Sequence, residues 1–224
     1  MRIGVIVLAT QKYINFVPPL YQSAKKHLLK GYDVRYFFLT DLPREECPAA
    51  VEMPDAIRLS AVHYPSFIGT MANRYRQVLA HEKQYDCDYL IHQDADMAYV
   101  SDVGEEIISP SVFATTSPNF PYGKWWATGS LLGGQRETFL QALRETQAMI
   151  DAGPIDQRFP EEEKWNIWLS THEHMKLPVE YCTPDRPSRK GVDPKIVTLT
   201  TLDKLKKTNV HRSQDIKPVA FDAK

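Results

Sequence analysis

The chain has 224 residues, 43% of them hydrophobic and 25% charged, with a formal net charge of -1. It is long enough for a sizeable core and ordinary in composition for a soluble globular protein. It is too neutral for a general electrostatic pull toward nucleic acid or an anionic membrane. Three cysteines, Cys47, Cys87 and Cys182, are odd in number and widely spaced, which argues against a disulfide framework or structural zinc and suits a reducing compartment.

The opening run "MRIGVIVLAT" lacks a small-residue cleavage site and is interrupted by Gln11, Lys12 and Tyr13, so it reads as a buried strand over 3–9 rather than a signal peptide. Pro18 and Pro19 suit the first turn of a helix running through "LYQSAKKHLLKG", with Gly31 as its stop. "DVRYFFLTD" and the weaker "AIRLSAV" read as the next two strands. "GTMANRYRQVLAHEKQY" has helical character, and "CDYLIHQ" is a fourth strand. This alternation predicts an α/β fold with a mainly parallel sheet. Further on, "SVFATTS" and "ATGSLLGG" read as strands, "QRETFLQALRETQAMIDAG" as an amphipathic helix ending at Gly153, and "EEEKWNIWLSTHEH" as a short helix. On such a helix His172 and His174 would point to different faces, against a zinc pair. The segment from Thr183 onward is rich in proline and charge. No apolar run approaches the roughly 20 residues needed to span a bilayer. The expectation is one soluble, cytoplasmic domain with no membrane anchor and no nucleic-acid partner.

The fourth strand ends in "HQDADM". Residues two apart in an extended chain share a side, so Asp94 and Asp96 can aim both carboxylates at one point with Ala95 turned away. In open α/β sheets ligands bind just outside the carboxyl ends of strands. Paired carboxylates there suit a hard divalent ion shared with phosphate oxygens and water, although a D-x-D at such a strand end serves about equally often as a cap or an Asx-turn.

"VIVLATQKYINFVPPLYQSAKKHLLKGYDVRYFFLTDLP", followed by "DYLIHQDADM", resembles glycosyltransferase family 6. The match extends more moderately through "WATGSLLGG" and "EEEKWNIWL" and is loose after Tyr181. The resemblance implies a GT-A fold over 1–224, with a nucleotide-binding half (1–97), a sugar and acceptor half (98–182) and an extension closing over a diphosphate (183–224). It implies a retaining transferase moving N-acetylgalactosamine or galactose from a UDP-sugar to the 3-hydroxyl of a galactoside. Mn²⁺, with Mg²⁺ as the alternative, would be held by Asp94 and Asp96. Relatives with Asn-x-Asn work without metal, so "DAD" carries an expectation of metal dependence. The anchor and stem of vertebrate members are missing from this sequence, which suits a microbial or viral member.

The resemblance also implies roles. Ala9, Thr10 and Tyr13 fall where the family contacts uridine, and Arg74 (with Arg76 as fallback) where it contacts the donor sugar. Ala95 lies between the two aspartates of the donor site. Thr128, Gly129 and Ser130 occupy the donor-discriminating positions, and their small size leaves room for an acetamido group. Glu162 matches the glutamate beside the anomeric carbon, aligned through Asn166 and Trp168-Leu169, with Glu161 or Glu163 as one-residue alternatives. Glu161 replaces a sugar-binding aspartate. Lys206 and Arg212 match cations that close over the diphosphate, and Phe159 and Asp185 fall among acceptor contacts. Two other readings of the residues stand beside this one: a metal-dependent phosphohydrolase or nucleotidyltransferase, and a carbohydrate-binding relative without catalysis.

Overall fold

Four apolar runs lie side by side in a computed structural model that describes residues 1–117, 125–154, 159–184 and 192–199. Strands β1 (Arg2–Leu8), β2 (Asp33–Thr40), β3 (Ala56–Ser60) and β4 (Tyr89–Asp94) are mutually parallel. Strand β7 (Ala127–Gln135) joins β4 antiparallel, and β6 (Val112–Thr116) joins β7 antiparallel. Strand β8 (His174–Leu177) is parallel to β6, giving the order β3-β2-β1-β4-β7-β6-β8. A second, three-stranded sheet pairs β5 (Met97–Tyr99), β10 (Ile196–Thr198) and β9 (Thr183–Pro184).

Alternate strand residues feed opposite layers. Ile3, Val5, Val7, Tyr36 and Phe38 pack with Val17, Leu20 and Ala24 of helix α1 (Val17–His27). Ile6, Phe37, Leu39 and Leu90 face the other way. They meet α3 (Arg74–Leu79) through Val78, α4 (Arg136–Ala152) through Phe139 and Leu143, and α5 (Pro160–Leu169) through Trp165 and Leu169. One sheet with helices on both faces makes a single GT-A-like α/β domain. Among the described residues no helix is long and apolar enough to cross a membrane.

Several element boundaries differ from those expected. The helix over 69–85 is divided into α2 (Phe67–Ala72), α3 and a 3-10 turn at Glu82–Gln84. The break falls at Asn73, whose Nδ2 donates back to the Gly69 carbonyl at 2.9 Å, the local competition that makes asparagine poor inside helices. Helix α1 ends at His27 rather than Gly31, because Leu28 turns extended and Leu29 donates its N–H to the Val103 carbonyl. Gly31, at φ 90°, sits in the turn beyond. Helix α5 stops at Leu169, so His172 lies in a turn and His174 in β8, which takes up the free edge of β6. Helix α4 and strands β1, β2 and β4 formed where periodicity put them.

Gly133 lies opposite Ile91 where β7 pairs antiparallel with β4. An added Cβ there would stand 2.4 Å from the Leu90 carbonyl oxygen and 2.6 Å from the Phe113 ring. Gly133→Ala is expected to lower unfolding free energy by about 3 kcal/mol, since backbone cannot move aside as a flexible side chain does. Gly153→Ala, at the α4 terminus with φ -107°, should stay within about 0.5 kcal/mol of the parent. Urea unfolding of both variants measures this, and equal costs would show that this pairing is not tightly packed.

Candidate active site

Strands β1 and β4 run in register from Ile3 opposite Tyr89 to Leu8 opposite Asp94, so both parallel strands finish at one level. A cleft of about 910 Å³ opens there. It is lined by Thr10 to Asn15 after β1, Leu42 and Glu46 after β2, and His63 to Phe67 after β3. Arg74, Asp94 to Asp96, Gly129, Ser130, Glu161 and Glu162 form its deep end, with Phe159 at the mouth.

The deep end is organised around the Arg74 guanidinium. Its Nη2 lies 3.0 Å from Asp94 Oδ1, its Nη1 donates to the Gly129 carbonyl at 3.1 Å, and Nη1 stands 3.9 Å from Glu161 Oε1. The Arg74 and Glu161 side chains are only 9% and 2% exposed, so a lone charge on either would be costly. Burial works against the Arg74 charge, yet Asp94 and then Glu161 hold its pKa above the ordinary value. Burial raises the Glu161 carboxyl, with Arg74 pulling the other way.

Glu162 is held from two sides. Trp126 Nε1–H donates to its Oε1 at 2.7 Å, and the Gly129 N–H donates to its Oε2 at 3.2 Å. Burial raises its pKa, while those two donors act to lower it. Asn166 sets this register. Its Oδ1 accepts the Ala127 N–H at 2.8 Å, and its Nδ2 donates to the Ala127 and Glu162 carbonyls at 2.9 and 2.8 Å. Helix α5 is thereby tied to β7 so that Glu161 and Glu162 both enter the cleft. Glu163 is not among the lining residues and takes Lys164 as its partner at 3.3 Å.

Asp94 closes β4, while Asp96 sits in the turn before β5 rather than in the strand itself. Burial, and then Asp94, push the Asp96 carboxyl up to about 7. Four carboxyl groups thus stand near one buried guanidinium, with Asp94 and Glu161 in contact with it. Among the described residues no three acidic, histidine or cysteine side chains are grouped to hold a metal ion, so an ion at Asp94 and Asp96 would take most of its shell from substrate oxygens and water. Mn²⁺ or Mg²⁺ needs only one or two protein carboxylates when substrate oxygens and water complete its shell.

Of the other expected residues, Thr10, Tyr13, Ala95, Gly129, Ser130 and Phe159 line the cleft. Ala9 is fully buried at the end of β1, its N–H donating to the Leu39 carbonyl. Thr128 is 7% exposed behind the wall, with its hydroxyl donating to Ser130 Oγ at 3.1 Å. Arg76 leaves the cleft and pairs with Asp151 at 2.6 Å. Asp185, Lys206 and Arg212 lie outside the described residues. Gln11, His63, Tyr64 and Phe67 also line the cleft and were not singled out from sequence. Their position just past strand ends was the available signal.

A GT-A-like sheet with a carboxylate-rich cleft at the carboxyl ends of its strands is the architecture of a nucleotide-sugar transferase. The sequence pattern defining glycosyltransferase family 6 matches residues 1–125, more than half of the chain, and the protein belongs to that family. It is 28% identical to globoside α-1,3-N-acetylgalactosaminyltransferase 1 of Gallus gallus, over 91% of this chain and 68% of that protein. The Homo sapiens protein of the same name is 27% identical over 91% and 67%. Histo-blood group ABO system transferase 2 of Rattus norvegicus is 29% identical over 78% and 61%. The protein is therefore a glycosyltransferase, with a nucleotide-sugar donor and a glycan acceptor, which displaces the phosphohydrolase and nucleotidyltransferase alternative.

A carboxyl whose folded-state pKa is raised favours folding while protonated and opposes it once ionised. The Glu161 contribution is full below the unfolded value of about 4.3 and is lost as pH rises through the higher folded value. Glu161→Gln stays neutral throughout. Its stability relative to the parent is expected to rise as pH climbs from about 4.3, the unfolded value, through the higher folded value, followed by urea unfolding across a pH series. A difference that falls over the same interval would contradict the burial of an ionisable Glu161.

Proposed function

We propose that this chain transfers N-acetylgalactosamine or galactose from a UDP-sugar to the 3-hydroxyl of a galactoside, in α linkage and with retention of anomeric configuration. The observation that carries this reading is the set of buried Glu161 and partly buried Asp94, Asp96 and Glu162 around buried Arg74 at the strand ends. The activity for which the N-acetylgalactosaminyltransferase relatives are named supports the same choice.

Tyr13, exposed in the cleft near Asp94 and Asp96, offers an aromatic face for uracil, and Thr10 lies at the same strand end. Asp94 and Asp96 would hold Mn²⁺ or Mg²⁺ against the diphosphate, and the ion supplies positive charge where the leaving phosphate becomes negative. Arg74 orients Asp94 from behind, its Nη2 3.0 Å from Asp94 Oδ1. Gly129 and Ser130 form the sugar-facing wall. A Cβ on Gly129 would meet its nearest neighbours, Arg74 and Glu161, at 3.5 and 3.6 Å, so the wall carries no bulk where an acetamido group would lie.

Glu162 faces the anomeric carbon. With one oxygen held by Trp126 and the other by Gly129, the carboxylate is fixed at the cleft wall, and little reorganisation is needed as positive charge develops on the sugar. The carboxylate either attacks that carbon or stabilises the cation while the acceptor oxygen enters on the leaving-group face. The acceptor proton passes to the departing phosphate oxygen. Phe159 contributes an apolar face at the mouth, where the acceptor enters. Lys206, Arg212 and Asp185 are proposed to complete the diphosphate and acceptor contacts.

Sugar transfer from UDP-N-acetylgalactosamine and UDP-galactose to galactose-terminated acceptors, with Mn²⁺ and with EDTA, tests the reading. Activity should require the ion, exceed any with UDP-glucose, and vanish in the Asp94→Asn, Asp96→Asn double variant. Full turnover by that variant in EDTA would remove the metal from the scheme. Glu162→Gln should lower kcat by at least about 10²-fold while donor KM changes little, because its contribution is greatest in the transition state. A Glu162→Gln enzyme with parental kcat would remove Glu162 from the chemistry.

A further inference from the structure

Among the described residues only Gln11 and Leu29 are non-glycine residues at positive φ, Gln11 at 51°. Left-handed backbone crowds a Cβ against the following carbonyl, a penalty that shifts an equilibrium roughly tenfold. Such a residue persists where its surroundings hold it. Asp41 does the holding. Its Oδ1 accepts the Gln11 backbone N–H at 2.8 Å, and its Oδ2 accepts the Gln11 Nε2–H at 2.8 Å. His63 Nδ1 stands 3.5 Å from the same Oδ2, and the Asp41 side chain is only 7% exposed.

The three residues come from three adjacent strands. Gln11 follows β1, Asp41 follows β2, and His63 follows β3. The Ala9 N–H donates to the Leu39 carbonyl at 2.8 Å and the Ala61 N–H to the Thr40 carbonyl at 2.9 Å, so backbone pairing runs right up to the clamp. One buried carboxylate gathers the loops that form this end of the cleft. Gln11 also opens the 3-10 turn Gln11–Phe16, which carries Lys12 and Tyr13 into the cleft. Thr10, the residue before that turn, makes no side-chain cap. The cap comes instead from Asp41, across the sheet.

We propose that Asp41 is a positioning residue for nucleotide binding: by holding Gln11 left-handed it aims the turn that presents Tyr13 to the nucleoside. This rests on the reading that UDP occupies the cleft. Asp41 itself touches no part of the nucleotide and acts through Gln11.

The test is a double-mutant cycle read as UDP affinity in Mn²⁺ by calorimetry, with thermal unfolding of each protein alongside. Asp41→Ala removes both acceptors of Gln11, and should weaken UDP binding about tenfold. In a Gln11→Gly background glycine takes positive φ unaided, so the same Asp41→Ala change should cost less than about threefold. A parallel loss in both backgrounds, or no loss in either, overturns the proposal. The first outcome would mean direct contact or general destabilisation. Should Asp41→Ala fold poorly, Asp41→Glu, which keeps both acceptors but displaces them, is read with the same expectation. A parent chain that binds no UDP would instead overturn the donor reading, and this proposal with it.

Discussion

A guanidinium with almost no access to water sits between carboxylates from two other elements, and the deep end of the cleft depends on it. Arg74 opens α3, Asp94 ends β4, and Glu161 stands in the first turn of α5. None of these groups tolerates burial alone, because the desolvation of a lone charge far exceeds what nearby apolar packing returns. Together they are compatible with a dry interior, and the helices that carry them must dock within hydrogen-bonding distance of the sheet. The salt bridge is a constraint on geometry more than a source of stability.

A second constraint acts at right angles to the first. Asn166 bonds to both backbone groups of Ala127 and thereby locks α5 against β7. Beneath it, Trp165 is fully buried and stacks on Trp168 at 5.4 Å. With the helix unable to slide or rotate, Glu162 meets Trp126 and Gly129, and Glu161 meets Arg74. Two neighbouring glutamates therefore have different surroundings. One is fixed by donors and faces the cleft, while the other is buried against a cation. The adjacent Glu163 has neither partner.

Much of the fold was legible because buried parallel strands write themselves as continuous apolar runs. Residues 3–9, 33–41 and 87–93 became β1, β2 and β4 almost without change. The helix over 69–85 was less legible, since Asn73 has a local hydrogen bond that competes with helical pairing. Strand β8 was hidden, because "HMKL" has no strand pattern of its own and pairs only because β6 has a free edge. The small sheet of β5, β9 and β10 was hidden for the same reason: three pieces of two or three residues each become strands only when brought together.

The site divides in the same way. The chain alone determined that Asp94 and Asp96 end an apolar strand, that three glutamates open a helix, and that small residues occupy 128–130, since these follow from residue type and spacing. Tertiary structure alone decided which glutamates reach the cleft, why Arg74 rather than Arg76 turns inward, and that Asp41 clamps Gln11 from the next strand. Those outcomes depend on contacts between residues 30 to 87 positions apart, and only the packing of the sheet and its helices makes such pairs neighbours.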